Sequence, residues 1–213
     1  MTNIARYTNG HLFDLYGERT ALTTEIGRIL GGMSEQDFDN LDRFAGRVQK
    51  LGARANERNC HLYIDAEQSF IQAAIESFGQ QMTHQLNKDE KVIIMNGYQC
   101  YLKRMTATIP MEVRASQEAG YNLGVKLIRG AYMNEERELA EAEGQESPVW
   151  DTIEGTHACY NGSMRHILES MTEQDLLFVA SHNQDTCDMA MDLIEDRSLQ
   201  QQVRFGQLKG FSD

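Results

Sequence analysis

Short apolar runs that end in polar residues alternate along the chain with longer stretches of helical periodicity. The runs are His61–Asp65, Val92–Met95 leading to Gln99, and Val125–Ile128 leading to Gly130, Ala131 and Tyr132. Two more follow, Leu176–Val179 leading to Ser181, His182 and Asn183, and a weaker Val203–Phe205 leading to Gln207. Each predicts a β-strand. Between them apolar residues recur at spacings of three and four, which places them on one helix face. Phe38, Leu41, Phe44, Ala45, Val48 and Leu51 form one such stripe, and Phe70, Ile71, Ala74, Ile75, Phe78 and Met82 a second. Ile153, Tyr160, Met164, Ile167, Leu168 and Met171 form a third, with Met189, Leu193 and Ile194 a short fourth. Between the second and third strands Pro110 predicts a helix that starts or breaks there.

Strands alternating with helices predict an α/β fold, a parallel sheet with right-handed crossovers. An open doubly wound sheet and a β/α barrel both fit. A dinucleotide fold should carry G-x-G-x-x-G after its first strand, whereas Gly31-Gly32 sits in a polar stretch with no strand before it. Asp65, Gln99, Tyr132, His182 and Gln207 all fall at or just after carboxyl ends of strands, the ends that form the active face of a barrel. The five predicted strands are fewer than the about eight of a closed (β/α)8 TIM-type barrel. The expected organisation is a polar, helical lead-in over 1–36 and an incomplete barrel over 37–213. The acidic segment Asn134–Asp151 is expected to be a solvated loop with a short helix, or else a cover over the site.

Composition narrows the function classes. A net charge of −12 argues against a nucleic-acid surface. No apolar run reaches the roughly 20 residues of a membrane span, and Met1–Gly10 has no apolar signal core. Cys60, Cys100, Cys159 and Cys187 are far apart and make no C-x-x-C pair, so reduced thiols of an intracellular protein are expected and no metal site is.

The most informative stretch is Val125-Lys-Leu-Ile-Arg-Gly-Ala-Tyr-Met133. Strand alternation puts Lys126, Ile128, Gly130 and Tyr132 on one side and Leu127, Arg129 and Ala131 on the other. A lysine in a buried strand is costly unless its charge is used. Gly130 would let a planar ligand approach the backbone.

This stretch closely resembles the fourth barrel strand of proline dehydrogenases. So, in the family's order, do Tyr63-Ile-Asp-Ala-Glu-Gln68, Asn96-Gly-Tyr-Gln-Cys-Tyr-Leu102, Ala180-Ser-His-Asn-Gln-Asp-Thr186 and Phe205-Gly-Gln-Leu-Lys-Gly210. The wording is more similar to the eukaryotic, mitochondrial type than to the bacterial bifunctional type. The resemblance implies the middle portion of the barrel, oxidation of L-proline to 1-pyrroline-5-carboxylate, FAD as cofactor and a quinone as electron acceptor. It also implies a mitochondrial location and a peripheral association of the full-length protein with membrane. By position, Lys126 matches the basic residue beside the flavin N5, and Gln99 a residue hydrogen-bonded to the ring. Gly130, His182 and Asn183 match flavin-contacting positions. Ala131, Tyr132 and Leu208 match residues around the proline, and Asp65 a carboxylate that supports substrate-binding arginines. Tyr101-Leu-Lys-Arg104 looks superficially like the family's C-terminal arginine motif but follows the wrong strand.

Other readings of the same residues stay open. Asp65, His182 and Asn183 could cap helices or bond backbone in turns. Tyr132 could be packing, and the methionines core. Lys126 could form a Schiff base in an aldolase-type lyase. An incomplete barrel could also be a non-catalytic fragment with exposed sheet edges.

Overall fold

The computed structural model describes residues 34–210, so the lead-in up to Met33, with Gly31-Gly32, and the last three residues lie outside it. Helix α1 (Glu35–Arg58) starts at a capping box, in which Ser34 and Asp37 satisfy each other's backbone donors, and ends at Asn59 in the left-handed conformation. Five strands follow with helices between them, beginning β1 (Leu62–Ile64), α2 (Ser69–Leu86), β2 (Ile94–Gln99), α3 (Met105–Ala119) and β3 (Gly124–Ile128). Then come α4 (Met133–Ala142), α5 (Ile153–Ser170), β4 (Leu176–Ala180), α6 (Gln184–Arg197) and β5 (Val203–Gly206).

All neighbouring strands are parallel, and their order in the sheet is their order in the chain. A doubly wound sheet would reverse direction at a switch point; this one does not. The register aligns Ile64, Asn96, Val125, Leu177 and Val203 on the helix-covered side, and Gly97, Lys126, Phe178 and Arg204 on the other. On that second side the rings of Tyr63 in β1 and Phe178 in β4 lie 5.4 Å apart, although β2 and β3 run between their strands. Flat strands about 4.8 Å apart would hold them too far apart, so the sheet curls into an arc with Lys126 on its concave wall.

The convex side carries the core. Tyr98, Leu127, Val179, Tyr160, Met164, Ile167 and Leu168 are almost wholly buried between the sheet and α3, α5 and α6. A smaller cluster of Ala45, Phe78, Met82, Ile93 and Ile94 sits under α1 and α2. Full burial of such a side chain is worth about 1.5–3 kcal/mol. The first stripe is buried less completely than expected: Phe44 and Leu51 stay 46% and 57% exposed. Helix α1 packs mainly on α2 and β1, so one flank of a wide stripe faces outward; the side chain of Phe38 is not described.

Three other expectations are corrected. Pro110 neither starts nor breaks a helix; it sits inside α3. The carbonyl that loses its partner there is that of Thr106, an exposed residue open to water. Strand β2 begins at Ile94 rather than Val92, because the buried Asn87 side chain accepts from the Ile93 and Ile94 amides at 2.9 and 2.7 Å. Strand β3 ends at Ile128, and Gly130 at φ +138° turns the chain, so Tyr132 is not carried to the Lys126 side by alternation. It stands at the N-cap of α4.

Candidate active site

The carboxyl ends of β1, β2 and β3 meet through side chains rather than ladder bonds. Lys126 projects from the concave wall and pairs with Asp65, just past β1; its side chain is 22% exposed against 63% for the aspartate. Gln99, at 1% exposure, donates to the Glu67 carbonyl at 2.7 Å and accepts from the Ala131 amide at 3.4 Å. Tyr132 donates its hydroxyl to the Glu67 carboxylate. That bond is the main cause holding the phenol above its ordinary range, since removing the proton would place two anions together. The Ser69 amide, opening α2, donates to the buried Glu136 at 2.6 Å, favourable for a carboxylate at a helix N-terminus.

Gly130 is exposed, and a Cβ there would land on the ring of Tyr101 packed beneath it. Gly130 and Ala131 are both exposed and follow the end of β3, four and five residues beyond Lys126.

The β4 and β5 ends make the other half of the rim. Asn183 caps α6, its side-chain oxygen accepting from the Thr186 amide at 2.9 Å. Nε2 of His182 accepts from the Leu208 amide at 3.0 Å. Gln207 donates to the Ser181 carbonyl at 3.2 Å, and Leu208 is 64% exposed.

The structure thus brings Asp65, Gln99, Lys126, Gly130, Ala131 and Tyr132 together on one half of the rim, and His182, Asn183 and Leu208 on the other. The capping role considered for Asp65 does not hold, because Gln68 stands at the N-cap of α2; Asn183 does cap. Gln99 lies beneath the rim, joining the β1 and β3 loops. Sequence reasoning missed Glu67 and Glu136, whose roles depend on distant partners, and Arg129, which it had only placed opposite Lys126. Arg104 pairs with Glu76 on the convex side. Segment 134–151 holds a helix as expected, and its return is pinned: Lys103 donates to the Pro148 carbonyl and Trp150 to that of Tyr101, at 2.8 and 2.9 Å.

A curved parallel sheet with a polar cluster at its carboxyl rim defines a β/α-barrel protein of the class whose active sites lie at that rim. A family model described as proline dehydrogenase matches residues 5–213, and the chain belongs to that family. It is 34% identical over 198 residues to human proline dehydrogenase 1, mitochondrial, covering 91% of this chain and 33% of that protein. It is 31% identical over 211 residues to the Caenorhabditis elegans proline dehydrogenase 1, mitochondrial, covering 96% and 34%. The chain therefore spans about a third of the length of these curated relatives. Among solved structures, proline utilization A from Bdellovibrio bacteriovorus superposes with a TM-score of 0.71 at 22% identity, covering 83% of this chain and 18% of that one. The protein from Bradyrhizobium japonicum gives 0.69 at 19% identity, covering 94% and 22%.

Proposed function

We propose that this protein is a flavin-dependent proline dehydrogenase, oxidising L-proline to 1-pyrroline-5-carboxylate and passing the electrons to a quinone, with residues 37–213 contributing barrel. The observation that carries the reading is Lys126: a cation on the concave wall, partnered by one aspartate, on the strand whose end leads to the exposed Gly130 backbone. A cation on a strand that leads into exposed backbone fits a flat ring that gains electron density on reduction.

Lys126, Gln99, Gly130, His182 and Asn183 would hold FAD, which when bound supplies a two-electron acceptor for a hydride from the substrate ring carbon. The proton lost from the proline nitrogen as the C=N bond forms would pass to water at the open rim. Lys126 contributes positive charge. Asp65 offsets part of that charge and orients the ammonium. Ala131, Tyr132 and Leu208 would border the proline. The bond from Tyr132 to Glu67 fixes the phenol and keeps it protonated. The ion pair with Asp65 engages the Lys126 side chain, an arrangement that favours binding negative charge over the Schiff-base alternative. The relatives' mitochondrial names support the same location here, and a quinone acceptor supports peripheral contact with its membrane.

Titrating purified protein with FAD and then adding L-proline without oxygen tests the reading. A bound flavin absorption that bleaches with proline is expected. Absence of flavin binding, or covalent trapping of a carbonyl compound on Lys126 by borohydride, would overturn it.

A further inference from the structure

Arg129 has no part in the scheme above, yet it is the most heavily engaged cation of the rim. It leaves β3 on the side opposite Lys126. Its Nε donates to Nδ1 of His157 in α5 at 3.0 Å, Nη1 to Oγ of Ser181 at 2.7 Å, and Nη2 to Oγ1 of Thr186 at 2.9 Å. The guanidinium carbon lies 4.3 Å from the centre of the Tyr160 ring. All three hydrogen-bond acceptors are neutral groups, and burial lowers the affinity of the guanidinium for its proton. Thr186 lies in the first turn of α6, the end of a helix that repels positive charge. The Tyr160 ring face is its favourable electrostatic partner, and none of the three acceptors carries a negative charge. What the site uses is the fork of donors, rigid enough to hold separate elements in register.

The elements it holds are those of the second half of the rim. The Ser181 hydroxyl that accepts from Arg129 also accepts from the Asn183 amide at 3.1 Å. Thr186, the second acceptor, is the residue whose amide Asn183 caps, and its hydroxyl donates to Asn161 at 2.8 Å. The Ser181 carbonyl anchors Gln207, and His182 anchors the Leu208 amide.

We propose that Arg129 is a positioning residue for the cofactor site: its three donors hold the Ser181–Asn183 loop, and through it the β5 end, in register with Lys126 on the same strand. This rests on the flavin reading above.

The test compares Arg129→Met, Arg129→Lys and Ser181→Ala with the parent protein by amide hydrogen exchange and by FAD titration. Arg129→Met should speed exchange of the 181–186 amides at least tenfold while the β2 amides stay protected, and weaken FAD binding at least tenfold. Arg129→Lys, with one ammonium in reach of a hydroxyl, should recover part of both. Ser181→Ala removes the Nη1 bond together with the acceptor of the Asn183 amide, so it should speed exchange within 181–186 less than Arg129→Met does; unchanged exchange there overturns the proposal even if Arg129→Met does not fold. Unchanged exchange at 181–186 in the arginine variants, or loss of protection across the whole sheet, overturns the proposal; so does faster loop exchange with unaltered FAD affinity. If the parent protein binds no FAD, the flavin reading falls, and the cofactor-positioning role falls with it. The exchange data then still decide separately whether Arg129 holds the loop.

Discussion

Replacing Glu112 by glutamine should stabilise the protein above neutral pH and do little in mild acid. Glu112 projects from α3 into the convex layer, where it is 8% exposed. It accepts from Gln80 and Tyr98, but Glu76 lies nearby and is itself held by Arg104. Burial, reinforced by the Glu76 charge, pushes its carboxyl up to about 7 from the ordinary 4.5. At about 1.4 kcal/mol per pH unit, that gap corresponds to about 3 kcal/mol. The sign follows from which state holds the proton. Below the ordinary value folded and unfolded chains are both protonated and nothing is lost. Between 4.5 and about 7 the unfolded chain releases its proton first, so stability falls as pH rises. Above about 7 the whole cost of a buried anion stands. Glutamine keeps the acceptor for Gln80 and removes the charge. Urea unfolding followed by the single tryptophan, Trp150, should give a gain of up to about 3 kcal/mol at pH 8, or about 6–12 °C in melting temperature. At pH 5 the gain should be below about 1 kcal/mol. Equal effects at the two pH values, or destabilisation at pH 8, would refute the reasoning.

Gly130→Ala combines a left-handed φ of +138° with a Cβ directed at the Tyr101 ring, so thermal melting should show a loss of about 2 kcal/mol or more. Asn87→Ala removes a buried side chain that bonds the Ile93 and Ile94 amides and the Ile94 and Asn122 carbonyls; equilibrium unfolding should report a loss of about 3 kcal/mol or more. In the FAD-loaded protein, Lys126→Met should slow flavin reduction by proline at least about tenfold in rapid mixing. It should cost under about 1 kcal/mol of stability, since Asp65 is 63% exposed; an unchanged reduction rate would remove the role given to Lys126.

The strands were legible because their apolar runs are short and closed by polar residues, and even the weak Val203–Phe205 run pairs with β4. Periodicity also gave the faces of α5 and α6, apart from Ile153, which stays 65% exposed at the opening of its helix. Pro110 misled because the penalty for proline depends on whether the freed carbonyl can reach water. The onset of β2 was hidden because a side chain, Asn87, takes up the amides of Ile93 and Ile94. In the site, strand alternation separated Lys126 from Arg129 correctly, but the rule stops where Gly130 leaves extended geometry. The pairing of Tyr132 with Glu67 and of Ser69 with Glu136 joins residues far apart in the chain, and no local pattern encodes such a match.

The agreement between strand order and chain order bears on how this sheet assembles. Each new strand finds its partner one β/α step back, and even the longest step, from Gly124 to Leu176, spans only the two helices that cover it. Loop closure is thus met in small instalments, and the sheet can lengthen along a single advancing edge. A chain emerging from the ribosome meets its docking surface as soon as each unit is released.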